Sequence, residues 1–238
     1  MRAGMVVFLL VAFVGAWGLW VPLALSGVTV GRGYGWPSHL PGLLAPALGA
    51  FMGVWVSRGR AGVADLASRL VRWRPSAGVL VVLTLTIVAA LVAAVIGAYE
   101  GESLEFTGAP AWGILTVGYV LVVNGYGEEI GWRGFLGDTL IQRTSKGVAA
   151  LLVWLVWGVW HIPLFFVVDS FRGMEVSGKI GWAIALLSGS ILLLWLYTNA
   201  ERSVLIVAVW HTAFNYTAVA GGTAGVVGAA SSAAVIIT

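Results

Sequence analysis

Residues Pro75–Tyr99 read PSAGVLVVLTLTIVAALVAAVIGAY, without one Asp, Glu, Lys or Arg, between Arg74 and Glu100. A helix of about 20 apolar residues crosses the hydrocarbon core of a bilayer, and this stretch is long enough. Six more charge-free stretches lie around it: Ala3–Gly31, Gly33–Ser57, Phe106–Gly127, Gly147–Val168, Ile180–Ala200 and Ser203–Thr238. The last has 36 residues and a Gly221-Gly222 break, which leaves room for a second span. Backbone exposed to lipid must satisfy its own hydrogen bonds. The expected fold is therefore all-α, a polytopic membrane helix bundle of eight (or seven) transmembrane helices, with 1–238 as a single integral membrane domain.

Composition agrees. Of 238 residues 60% are hydrophobic and only 10% charged, against about 25% charged in soluble domains, and mean hydropathy is +0.97. This excludes a soluble enzyme, a nucleic-acid module and a disordered tail. The absence of Cys excludes thiol catalysis, structural disulfides and thiolate metal sites. The apolar run from Met5 to about Leu25 exceeds the roughly 7–15 residues of a signal-peptide core, so the first span is expected to stay uncleaved.

Segment Ser57–Pro75 differs in kind. It carries Arg58, Arg60, Arg69, Arg72 and Arg74, with Val63, Leu66, Ala67, Leu70 and Trp73 at helical spacing and Asp65 four residues before Arg69. It reads as one basic interfacial helix in the headgroup region, or equally as a connector pinned to anionic lipid. Cytoplasmic loops collect Lys and Arg. Placing this segment in the cytoplasm puts nine of the 13 basic residues there and only Arg32, Arg172 and Lys179 outside, with Arg133 at the end of a span. The N-terminus is then cytoplasmic. The formal charge of +3 thus reflects topology, and the implied partner is the lipid bilayer, not nucleic acid.

Charged groups within a span cost at least about 2.5–3.5 kcal/mol each and mark function by default. Three places stand out: Gly127-Glu128-Glu129-Ile130-Gly131-Trp132-Arg133, Trp157-Gly158-Val159-Trp160-His161, and His211-Thr212-Ala213-Phe214-Asn215. Glu129 and Arg133 are i and i+4, spaced for a salt bridge. Glu128 is turned about 100° away, above Asn124, and remains the unpaired acid. His211 shares a face with Asn215, and Trp157 with His161. At about 1.5 Å per residue, Glu128, His161 and His211 lie about 13, 20 and 12 Å from the cytoplasmic end, close enough in depth to meet. Gly127, Gly131 and Gly158 would let neighbouring helices approach closely. A carboxylate that takes a proton from water, with imidazole and amide donors for a developing oxyanion, is what hydrolysis requires. The competing readings are an interfacial salt-bridge cluster, interhelical packing pairs, and a Glu–His proton relay. No internal repeat of the transporter kind is visible.

The three motifs, Glu128-Glu129-x-x-x-Arg133, His161 after an aromatic, and His211-x-x-x-Asn215, resemble those of the CPBP (Abi) intramembrane proteases, which include the type II CAAX prenyl endopeptidases. The resemblance is specific from Gly127 to Asn215, 89 of 238 residues, with a family-like core at about 106–220. One departure is Trp157, where the family usually has Phe.

The resemblance implies an eight-helix bundle whose cavity opens to the cytosol and to lipid. It implies an endopeptidase cutting near the C-terminus of a membrane-associated peptide or lipidated protein. Glu128 would activate water with His161, His211 and Asn215 would stabilise the oxyanion, and Glu129, Arg133 and Trp157 would support them. The alternative is a non-catalytic membrane immunity or scaffold protein that binds a partner in the same cavity. The resemblance fixes neither a substrate nor a metal. Zinc held by Glu128, His161 and His211 is chemically possible, but no cofactor is favoured. The three ligands come from separate spans, and the sequence shows only Asn215 and backbone as acceptors behind the histidines.

Overall fold

The computed structural model describes residues 2–33, 35–99, 101 and 105–219. Helix α1, Arg2–Leu25, buries Gly4, Phe8, Ala12, Ala16 and Trp20, one side chain at every fourth position. That stripe lies on α2, Ala45–Arg69, whose buried residues include Ala45, Gly49, Gly53 and Val54. Small residues on both sides bring the two backbones together. A Cβ added at Gly49 would stand 2.8 Å from the Phe8 carbonyl oxygen.

After α2 come α3, Ala77–Tyr99, and α4, residues 114–141. Helix α5 is Lys146–Trp160, α6 is Val176–Asn199 and α7 is Val204–Val219. Five helical stretches are long and apolar enough to cross a membrane: Arg2–Leu25, Leu40–Arg69, Ala77–Tyr99, Lys146–Val167 and Val176–Asn199. The molecule is an all-α polytopic bundle. The second span expected after Gly221-Gly222 lies outside the described residues, as do Glu100 and Glu102.

Helix α4 is irregular where the chemistry concentrates. Two π-helical turns, Leu121–Tyr126 and Trp132–Gly137, flank the α-helical Gly127–Gly131 that carries both glutamates. Such wide turns inside α-helices often mark functional sites. Gly127 and Gly131 press α4 onto the start of α2. A Cβ at Gly127 would sit 2.7 Å from the Leu43 carbonyl oxygen, and one at Gly131 would overlap Pro46. Gly158 does not share this role, because its nearest neighbour would be an ordinary contact with Leu186 at 3.6 Å.

The basic segment is a helix, set off from the apolar part of α2 by Gly59 at φ 60°, ψ −155°, a conformation that favours glycine. Its buried face is Gly62, Leu66 and Arg69, while Ala67 and Trp73 are exposed. The face therefore differs from the Val63–Trp73 stripe expected from spacing. The reason is Arg69, which turns inward to bond the Tyr197 hydroxyl at 2.8 Å and pair with Asp138 at 3.2 Å. Arg202 grips Asp138 with Nε at 2.7 Å and Nη2 at 2.6 Å. The predicted Asp65–Arg69 pair forms as well. This ionic knot joins the interfacial helix to the ends of α4 and α6 and the start of α7, and sequence reading passed it over.

At the opposite end the loops bind one another. Val30 N–H donates to the Val167 carbonyl at 2.8 Å, and Gly108 N–H to Gly31 at 3.1 Å. Helix α5 stops at Trp160, and Pro163 opens a short helix, Leu164–Val167. His161 therefore caps the end of α5 instead of lying within a continuous span.

Candidate active site

Both glutamates are buried, and they divide as helical spacing predicts. Arg133 Nη1 donates to Glu129 Oε1 at 2.8 Å. Asn124 Nδ2 donates to Glu128 Oε1 at 2.9 Å. The other Glu128 oxygen accepts a bond that spacing did not reveal, from the Trp157 indole N–H at 2.7 Å. Trp157 is also the meeting point of the remaining groups. Its ring centroid lies 5.6 Å from that of His161 and 5.8 Å from that of His211, and the Arg133 guanidinium carbon sits 4.3 Å over its ring. The candidate residues of α4, α5 and α7 thus gather around one indole.

Two pairings alter the expected picture. His211 bonds Glu129, not Glu128: its Nδ1 stands 2.7 Å from Glu129 Oε1. Glu129 is thus a partner of His211 as well as of Arg133. Asn215 Nδ2 donates to Asn124 Oδ1 at 2.6 Å, so Asn215, Asn124, Glu128 and Trp157 form one hydrogen-bonded chain. Asn124 is the site residue missed in the sequence. Its signal was the four-residue spacing to Glu128.

The ring nitrogens follow from their partners. A carbonyl oxygen only accepts, so His161 Nδ1, 2.7 Å from the Trp157 carbonyl, carries the proton. His211 Nδ1 faces a carboxylate and carries one too. In the neutral rings each Nε2 therefore offers a lone pair. Acceptors behind both histidines, which sequence reading found wanting, are present. Such acceptors accompany zinc-binding histidines, so the donor types suit zinc. Their placement does not: the described residues bring no group of three or more His, Asp or Glu together as a metal site.

The third histidine is also buried. His39 backs onto Gly108, where a Cβ would lie 2.9 Å from its Nδ1, and that nitrogen has no hydrogen-bond partner. Burial, and then the nearby His161, push its pKa down to about 4 from 6.5. As pH falls below 6.5 the unfolded chain binds this proton first, and the folded chain binds it only near 4. Stability contributed by neutral His39 is thus complete above pH 6.5 and lost toward pH 4, by about 3 kcal/mol. Melts in detergent at pH 7 and 4.5 should show a smaller acid loss in His39→Phe than in wild type. Equal losses would contradict the assignment.

Bundle and site together define a class, an integral membrane protein that keeps its ionisable centre inside the helix bundle. Residues 110–217 match the family "Type II CAAX prenyl endopeptidase Rce1-like". A 102-residue stretch is 28% identical to CAAX prenyl protease 2 of Methanococcus maripaludis, covering 41% of this chain and 37% of the relative. The motif-bearing part of the chain belongs to the CPBP/CAAX protease family. Family and relative both bear the name of a peptidase.

Proposed function

We propose that the protein is an intramembrane endopeptidase of the CAAX prenyl protease type, formed by one membrane domain. Its substrates are membrane-associated peptides, lipidated proteins among them, cut near their C-terminus after entry from the membrane or the cytosol. The observation that carries this reading is a buried carboxylate, Glu128, with each oxygen held by a donor and two histidines beside the same indole. Glu128 takes the proton of the attacking water, and His161 Nε2 orients that water. His211 stabilises the oxyanion as an imidazolium, because its Nδ1 proton already goes to Glu129, whose charge favours that form. Asn215 contributes its second amide N–H.

The test is turnover, in detergent micelles, of quenched peptides ending in a CAAX-type sequence with and without a prenyl chain. Cleavage near the C-terminus supports the proposal. Binding without cleavage of either peptide would favour the immunity or scaffold reading.

The reaction is proposed to run without metal, since each Glu128 oxygen already accepts an N–H and no step needs a Lewis acid. Activity is expected to survive chelation, with zinc well below one per chain by elemental analysis. One tightly bound zinc per chain, its removal abolishing activity and its return restoring it, would overturn this.

A further inference from the structure

The two donors that hold Glu128 differ in origin. Asn124 lies on α4 itself, four residues away, and follows any movement of that helix. Trp157 reaches across from α5 and is the donor that ties the carboxylate to a second helix. Its ring is almost fully buried. It is pressed by the Arg133 guanidinium on one face and by two imidazoles in edge-on contact, at 61° and 81°. An indole so enclosed has a fixed N–H direction before any substrate arrives. With one oxygen on each donor, the carboxylate plane no longer turns about its last torsion, and groups locked in this way reach reacting geometry without reorganising. A phenyl ring would keep the edge contacts and the face beneath Arg133. It would lack the N–H.

We infer that Trp157 is a positioning residue that fixes the carboxylate plane of Glu128 through its indole N–H. The inference rests on Glu128 being the proposed base, and Trp157 itself touches no reacting atom. The contribution is separable from packing, because Trp157→Phe deletes the donor and leaves a ring in its place. A hydrogen bond to a charged group has an effect of roughly 10- to 100-fold on a rate when it matters only for the reaction.

The experiment uses the full chain in micelles, labelled with ¹⁵N-tryptophan, as wild type, Trp157→Phe, Glu128→Ala, Glu128→Gln and the Trp157→Phe/Glu128→Gln pair. Trp157→Phe is expected to lose about 10- to 100-fold in kcat, with KM and melting temperature unchanged. The same substitution should have no further effect in the Glu128→Gln background, since residues that act through one another are not additive. The indole resonance that vanishes in Trp157→Phe should move upfield in Glu128→Ala.

Unchanged kcat in folded Trp157→Phe, a loss that adds in full to that of Glu128→Gln, or a joint fall of kcat and melting temperature would each overturn the inference. So would an indole resonance insensitive to Glu128→Ala. That measurement needs no turnover. If wild type cleaves no peptide, the protease reading fails while the resonance still decides whether the indole holds the carboxylate. If Trp157→Phe does not fold, ¹⁵N-labelling at position 157 alone identifies the resonance.

Discussion

Glu128→Gln is expected to lower peptide turnover roughly 10²- to 10⁴-fold, the range typical for removing a general base. Gln keeps the length and shape of the side chain but has one acceptor oxygen where Glu has two. Asn124 and Trp157 both point N–H groups at this position, so the amide satisfies one of them and sets its own NH₂ against the other. A modest fall in melting temperature should therefore accompany the loss of rate, with the helical circular dichroism signal retained. Rates measured against folded, monodisperse variant decide the matter. Turnover equal to wild type would remove Glu128 from the chemistry.

Glu129→Ala should act on stability first. Its Oε1 accepts from both Arg133 and His211, and all three groups are buried. Arg133 is already short of partners, since its Nε and Nη2 make no hydrogen bond. Taking away the carboxylate leaves a guanidinium buried without its counter-charge, a change that costs about 3–5 kcal/mol. Poor expression and a sharply lowered melting temperature are expected, with activity lost in consequence. Glu129→Ala combined with Arg133→Ala should recover part of that stability, because the stranded charge goes too. A Glu129→Ala protein as stable as wild type yet inactive would mean that Glu128 and Glu129 have exchanged roles.

What the sequence made legible was local. The spans show in their lack of charge, and the pairs Asn124–Glu128, Glu129–Arg133 and Asp65–Arg69 show in a spacing of four. Such contacts need only a helix to exist. The contacts between helices needed more. Trp157 to Glu128, His211 to Glu129 and Arg202 to Asp138 depend on how each helix is rotated against its neighbour, and two π turns shift that rotation within α4 itself. Trp157 was read as packing because hydrophobic pattern registers its ring and not its N–H. Arg69 and Asp138 were missed for a related reason. Basic residues at a membrane border are ordinarily solvated, and only the inward turn of the Arg69 side chain makes this one part of the interior.

The two π turns also separate what the bilayer detects in α4 from what the reaction detects. Insertion responds to summed apolarity and to thickness. A residue more or less changes a helix by about 1.5 Å, a mismatch that a small tilt absorbs. A π turn holds one more residue than the regular turn it replaces, so losing Val122, which faces outward, would let Leu121–Tyr126 relax into ordinary helix. Hydropathy would hardly register the deletion. The phase of everything after it would still move by about 100°, swinging Glu128 off the indole of Trp157. A frameshift in angle of this kind would be silent to the membrane and decisive for the site.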